Sequence, residues 1–168
     1  MPYTVFGLPT HVLIIHLTVV GVPTACLLTL AIAIVPKWRR RFGWWVAALA
    51  VVLVPVTYAT QLAGEQLFNH RTYLDEIAEQ HKKLGETLVW FVLAVAVFAL
   101  LLVLAEKRGY ADHHVTMVVV AALAIAASAI CLVRVVQVGD SGARAAWGNS
   151  VSAAAGGAVG VPSAPLGS

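Results

Sequence analysis

The sequence predicts an all-α protein, a polytopic membrane four-helix bundle, on three observations. Of its 168 residues, 60% are hydrophobic and 11% charged, whereas a soluble domain carries about 25% charged residues. The apolar residues fall into four runs, about residues 11–35, 42–62, 84–104 and 115–138, each near the roughly 20 residues that a helix needs to cross a bilayer. The basic residues gather between runs, most densely at Lys37, Arg39, Arg40 and Arg41.

The first run starts near His11 and is longer than the core of a cleaved signal, with no basic segment ahead of it, so it is expected to be retained as a helix. Pro36 closes it and Gly43 opens the second run. Pro23 and Pro55 lie inside spans, where each removes a backbone donor and frees a carbonyl, so two kinked helices are expected. The first connection carries the four cations and the third carries Lys107 and Arg108. In the second, Arg71, Lys82 and Lys83 are diluted by Asp75, Glu76, Glu79 and Glu86. The positive-inside rule then makes the first and third connections cytoplasmic and puts both termini outside, in a multi-pass cell membrane protein. Trp38, Trp44 and Trp45 stand where an aromatic belt would.

The second connection is more than a loop. From Tyr73 onward, Leu74, Ala78, His81, Gly85 and Leu88 share one helical stripe, and Asp75, Glu79, Lys82, Lys83 and Glu86 share another. The third helix therefore begins early, as an amphipathic outer extension. Glu79 with Lys83 and Lys82 with Glu86 stand four apart, the spacing of helical ion pairs. The fourth run is dense in alanine and serine, which predicts a central helix with close neighbours. Residues 1–148 form the membrane domain, and residues 149–168, small and aperiodic with two prolines, are expected to be a disordered low-complexity tail.

Ionisable groups at membrane depth are costly and by default face the bundle interior with a partner. They crowd the outer half: His11 and His16 on the first helix, Tyr58, Gln61 and Glu65 on the second, His81 on the third, Arg134 and Asp140 on the fourth. Tyr58, Gln61 and Glu65 fall at spacings of three and four and form one line, with Thr57 and Thr60 beside it. Arg134 is placed to neutralise Asp140 or Glu65. His16 and His81 are candidate axial ligands for haem; His11, His16, Glu65, His81 and Asp140 are the candidate set for a divalent metal. The competing reading is that these groups satisfy one another and cement the bundle. Cys26 and Cys131 lie in apolar runs and are assigned to packing. No nucleophile stands beside a base, no glycine-rich phosphate loop is present, and a net charge of +3 does not point to nucleic acid. The partners implied are lipid and other membrane chains or further copies of this one.

Four ordered segments carry a resemblance: Gly7-Leu8-Pro9-Thr10-His11 through His16, Pro36-Lys37-Trp38-Arg39-Arg40-Arg41, Glu79-Gln80-His81-Lys82-Lys83-Leu84-Gly85, and Gly139-Asp140-Ser141-Gly142-Ala143 with Trp147. Together they resemble an actinobacterial branch of a membrane family, domain of unknown function twenty-two thirty-one, over about residues 7 to 148. The resemblance implies four spans and no established activity. Some relatives look like anchors fused to Rieske or cytochrome-type domains, which leans towards electron transfer by analogy. Two departures stand out. The family's His-Pro and His-Phe-Pro give way to His11-Val12 and His16-Leu17, and its Gly-His turn after the fourth helix gives way to Gly139-Asp140. The missing histidine counts against a bis-histidine haem. Two expectations follow: a structural or accessory membrane subunit, and alternatively a redox-associated subunit holding haem or a metal in an outer pocket.

Overall fold

The computed structural model describes residues 4–5, 8–69, 76–109 and 114–157, with side chains described over 15–65, 79–109 and 115–144. Four helices follow a two-residue antiparallel ladder in which β1 (Thr4–Val5) pairs with β2 (Leu8–Pro9). They are α1 (Thr10–Ile34), α2 (Pro36–Asn69), α3 (Glu76–Lys107) and α4 (His114–Gly157). All four are long and apolar enough to span a membrane, over Ile15–Ile34, Pro36–Glu65, Glu79–Lys107 and Val115–Arg144.

Only Val35 separates α1 from α2. Its amide closes the last turn of α1 on the Ala31 carbonyl, and its own carbonyl accepts from the Trp38 and Arg39 amides at 3.1 Å, so one residue serves both helix ends. Pro36 fits the first position of a helix because the N–H it lacks would have no partner there. The cations from Lys37 to Arg41 therefore belong to the opening turns of α2, not to a connection. At the other end of the hairpin partner, Gly109 (φ 75°) provides the left-handed residue that terminates α3.

The helices alternate in direction, and each packs on two neighbours: α1 on α2 and α4, α3 on α2 and α4, with slight contact across the α1–α3 diagonal. Backbones approach closely where side chains are absent. A Cβ at Gly21 would stand 2.7 Å from Leu53 Cδ2, and one at Gly43 would stand 2.8 Å from Val103 Cγ2. The main core gathers Val22, Cys26, Ala50, Leu53, Val92, Val95, Ala99 and Cys131, with a second cluster of Ala33, Leu102 and Ala124. Cys26 of α1 and Cys131 of α4 are fully buried and belong to the main cluster. Packing is thus the role the structure gives them. Thr29 and Ser128, each one turn away, are also fully buried, and neither hydroxyl has a hydrogen-bond partner among the described residues.

Two expectations about α4 change. It is not central: it has the smallest buried share of the four spans, and Ala122, Ala126 and Ala129 face outward. Small residues permit close approach without deciding which helix is enclosed. The helix also continues to Gly157, so residues 149–157, expected to be disordered, have helical backbone. Alanine and serine sustain a helix, and the first proline after it is Pro162. Residues 158–168 lie outside the described residues, as do His70, Arg71, Tyr73, Leu74, Asp75, Asp112 and His113. The early start of α3 is present, with Lys83 paired to Glu79 at 2.9 Å and Lys82 to Glu86 at 3.8 Å.

Candidate functional site

The polar side chains collect at the two ends of the bundle. At the end where α1 begins and α4 leaves the bundle, α3 presents His81 and α4 presents Ser141 and Gly142. His81 Nδ1 lies 3.0 Å from Ser141 Oγ, while the Ser141 hydroxyl donates to the Val138 carbonyl at 3.0 Å. With the serine proton committed to Val138, Nδ1 must carry the donated hydrogen, which leaves the Nε2 lone pair of a neutral ring as an acceptor. Gly142 makes room for that ring: a Cβ there would stand 3.0 Å from His81 Cε1 and 3.4 Å from Nδ1. The turn singled out in the sequence as Gly139-Asp140-Ser141-Gly142-Ala143 is thus a helical segment that receives a histidine edge from α3.

The other expected members have these surroundings among the described residues. Asp140 is exposed and pairs with Arg144, 3.0 Å away on its own helix. Arg134 bonds Gln137 at 3.4 Å and lies over the Phe91 ring at 5.1 Å. His16 is exposed on α1, whereas His81 meets Ser141 of α4. Glu65 is half-buried, and the α2–α3 register set by Arg39 beside Glu106 and Gly43 beside Val103 carries it to the level of His81. The side chain of His11 is outside those described. Among the described residues, no three of His, Cys, Asp and Glu are placed to hold one metal ion.

The expected line on α2 is also redistributed. Tyr58 is 51% exposed. The inward positions belong to Thr57 and Thr60, whose hydroxyls donate to the Leu53 and Val56 carbonyls at 2.8 and 2.9 Å. Thr60 also shares a 2.8 Å hydroxyl–hydroxyl hydrogen bond with Thr18 of α1. Gln61 is half-buried, and its Oε1 is buried with no partner among the described residues.

The opposite end holds a cluster that the sequence reading passed over. Glu106 of α3 accepts Arg39 Nε at 2.8 Å on one oxygen and Arg40 Nε at 2.7 Å on the other. Arg39 is 8% exposed, and its Nη1 makes long contacts of 3.4 and 3.5 Å to the Ile32 and Ala33 carbonyls at the end of α1. One guanidinium thereby joins the last turn of α1, the first turns of α2 and the last turn of α3. The sequence signal was available: Glu106 is a single acid beside Lys107 and Arg108, at the end of the helix that must return alongside the cations of α2.

The chain matches the model of the family described as "Predicted membrane protein (DUF2231)" over residues 7–155. The chain belongs to this family. No curated protein and no solved structure matches it. Membership agrees with the four spans and carries no activity.

Proposed function

We propose that this DUF2231 chain is a structural or accessory subunit of a membrane assembly, lying in the cell membrane with both termini outside and the basic end cytoplasmic. The observation that carries the reading is the length of α4. At 44 residues it measures about 66 Å at the usual helical rise, against about 30 Å of hydrocarbon. Gly142 beside His81 sets the α3–α4 register and brings Glu76, the first residue of α3, level with Trp147. Residues 148–157 therefore reach past α3 as a helix of small residues, a form suited to close packing on a helix of another chain. Among the described residues of the His81 end, the polar groups bond from helix to helix or along one helix, as His81 with Ser141 and Asp140 with Arg144 do, which supports this reading over a cofactor site.

The test is the full chain purified in mild detergent, with its mass measured by light scattering, its visible spectrum recorded oxidised and reduced, and its metal content analysed. The proposal expects a colourless, metal-free complex heavier than the 17.8 kDa chain, dissociating when residues 148–157 are removed. A monomer, or a Soret band abolished by His81→Ala, overturns it in favour of the redox-associated alternative.

A further inference from the structure

The opening turns of α2 divide four cations between two directions. Arg39 turns into the bundle and is consumed by Glu106 and the end of α1. Lys37, Arg40 and Arg41 turn outward and, with Pro36, line an open concavity. Arg40 is shared: its Nε–H goes to Glu106, while the side chain stays 69% exposed. Glu106 has both oxygens engaged by the two arginines. It is the sole carboxylate among the described residues of this end, against six cations: Lys37, Arg39, Arg40, Arg41, Lys107 and Arg108.

The face that bears the concavity continues along α2 in an informative order. Arg41 lies over the Phe42 ring, and one turn further Trp44 and Trp45 are exposed, with the Lys107 ammonium 4.8 Å from the Trp44 ring. Beyond them come exposed Val51 and Val52. Cation, indole and aliphatic side chain follow one another as phosphate, interface and acyl chain do in a phospholipid.

We propose that the concavity formed by Pro36, Lys37, Arg40 and Arg41 binds the phosphate of an anionic phospholipid, with an acyl chain laid along Trp45 and Val52. Lys37 and Arg41 supply charge not committed to Glu106, and Arg40 bridges the lipid to the ion pairs that join α2 to α3. Occupancy therefore stiffens the basic end.

The test uses the full chain in non-ionic detergent, titrated separately with dioleoylphosphatidylglycerol, dioleoylphosphatidylcholine and inorganic phosphate. Thermal midpoints and lipid adducts in native mass spectra are recorded. The anionic lipid is expected to raise the midpoint and leave a retained adduct, and the other two to do neither. Lys37→Gln/Arg41→Gln, which keeps both Glu106 pairs, is expected to weaken binding about thirtyfold. Lys82→Gln/Lys83→Gln, an equal loss of charge at the other end, is expected to leave binding unchanged. Equal stabilisation by the zwitterionic lipid, reproduction of the effect by phosphate alone, or equal losses in the two double variants would overturn the proposal. The comparison of lipids on the unaltered chain decides it even if a variant does not fold.

Discussion

At the basic end, Glu106 takes one arginine on each carboxylate oxygen, and both arginines come from a different helix. At the His81 end, three ion pairs among the described residues run along single helices: Glu79 with Lys83, Lys82 with Glu86, Asp140 with Arg144. What crosses between α3 and α4 there is the neutral contact of His81 with Ser141 and Gly142. Charge by itself therefore says little about where a bundle is fastened. A pair four residues apart adds local helix support, whereas a pair from two helices fixes their separation and level. Burial widens the gap, since Arg39 is nearly enclosed and Asp140 and Arg144 are open to solvent.

The largest effect is expected from Glu106→Ala, which leaves Arg39 buried beside no carboxylate. A loss of about 3 kcal/mol is expected, the low end for breaking a buried pair because the site lies at the bundle's edge. Denaturant titration in detergent micelles measures it, and Arg40→Ala should cost under about 1 kcal/mol in the same assay. Next comes Gly142→Ala, which drives a methyl group against the His81 ring and should cost about 1–2 kcal/mol. In a His81→Ala background that cost should vanish, because the ring it meets is gone. If it persists, the fit of His81 on Gly142 is not what holds α3 to α4.

A smaller effect of opposite sign is expected in the interior. Ser128→Ala removes a buried hydroxyl that has no partner among the described residues, so stability should stay level or rise by up to about 1 kcal/mol. A clear loss would mean the hydroxyl is satisfied in the membrane. The smallest effect belongs to Asp140→Asn, expected to stay within about 0.5 kcal/mol for an exposed pair on one helix.

The four helices, the early start of α3 and the two ion pairs on it were legible because each rests on periodicity within one segment. So was the packing role of Cys26 and Cys131, which composition alone assigns. What the sequence did not yield depends on register between helices. Pro36 was read as the end of one helix, yet its missing N–H suits equally the start of the next, and only the one-residue turn at Val35 decides between these. Tyr58 and Thr57 are adjacent, and which one faces inward depends on a rotation of α2 that a line of polar residues does not specify. His81 lies on the apolar stripe of α3, and its neighbours on α4 are a serine and a glycine, residue types that periodicity within one helix does not single out. Glu106 went unnoticed because it lies at a helix end among cations, where a carboxylate looks solvated until the antiparallel return of α3 brings it beside Arg39.

The claim that a charge pair between helices fastens this bundle is tested most directly by the coupling of Arg39 and Glu106. Unfolding free energies of the parent chain, Arg39→Ala, Glu106→Ala and the double variant in the same detergent give that coupling. The account predicts a double variant no less stable than Glu106→Ala alone, since losing the arginine removes the stranded charge. Costs that simply add would contradict it and reduce the basic end to a topology signal.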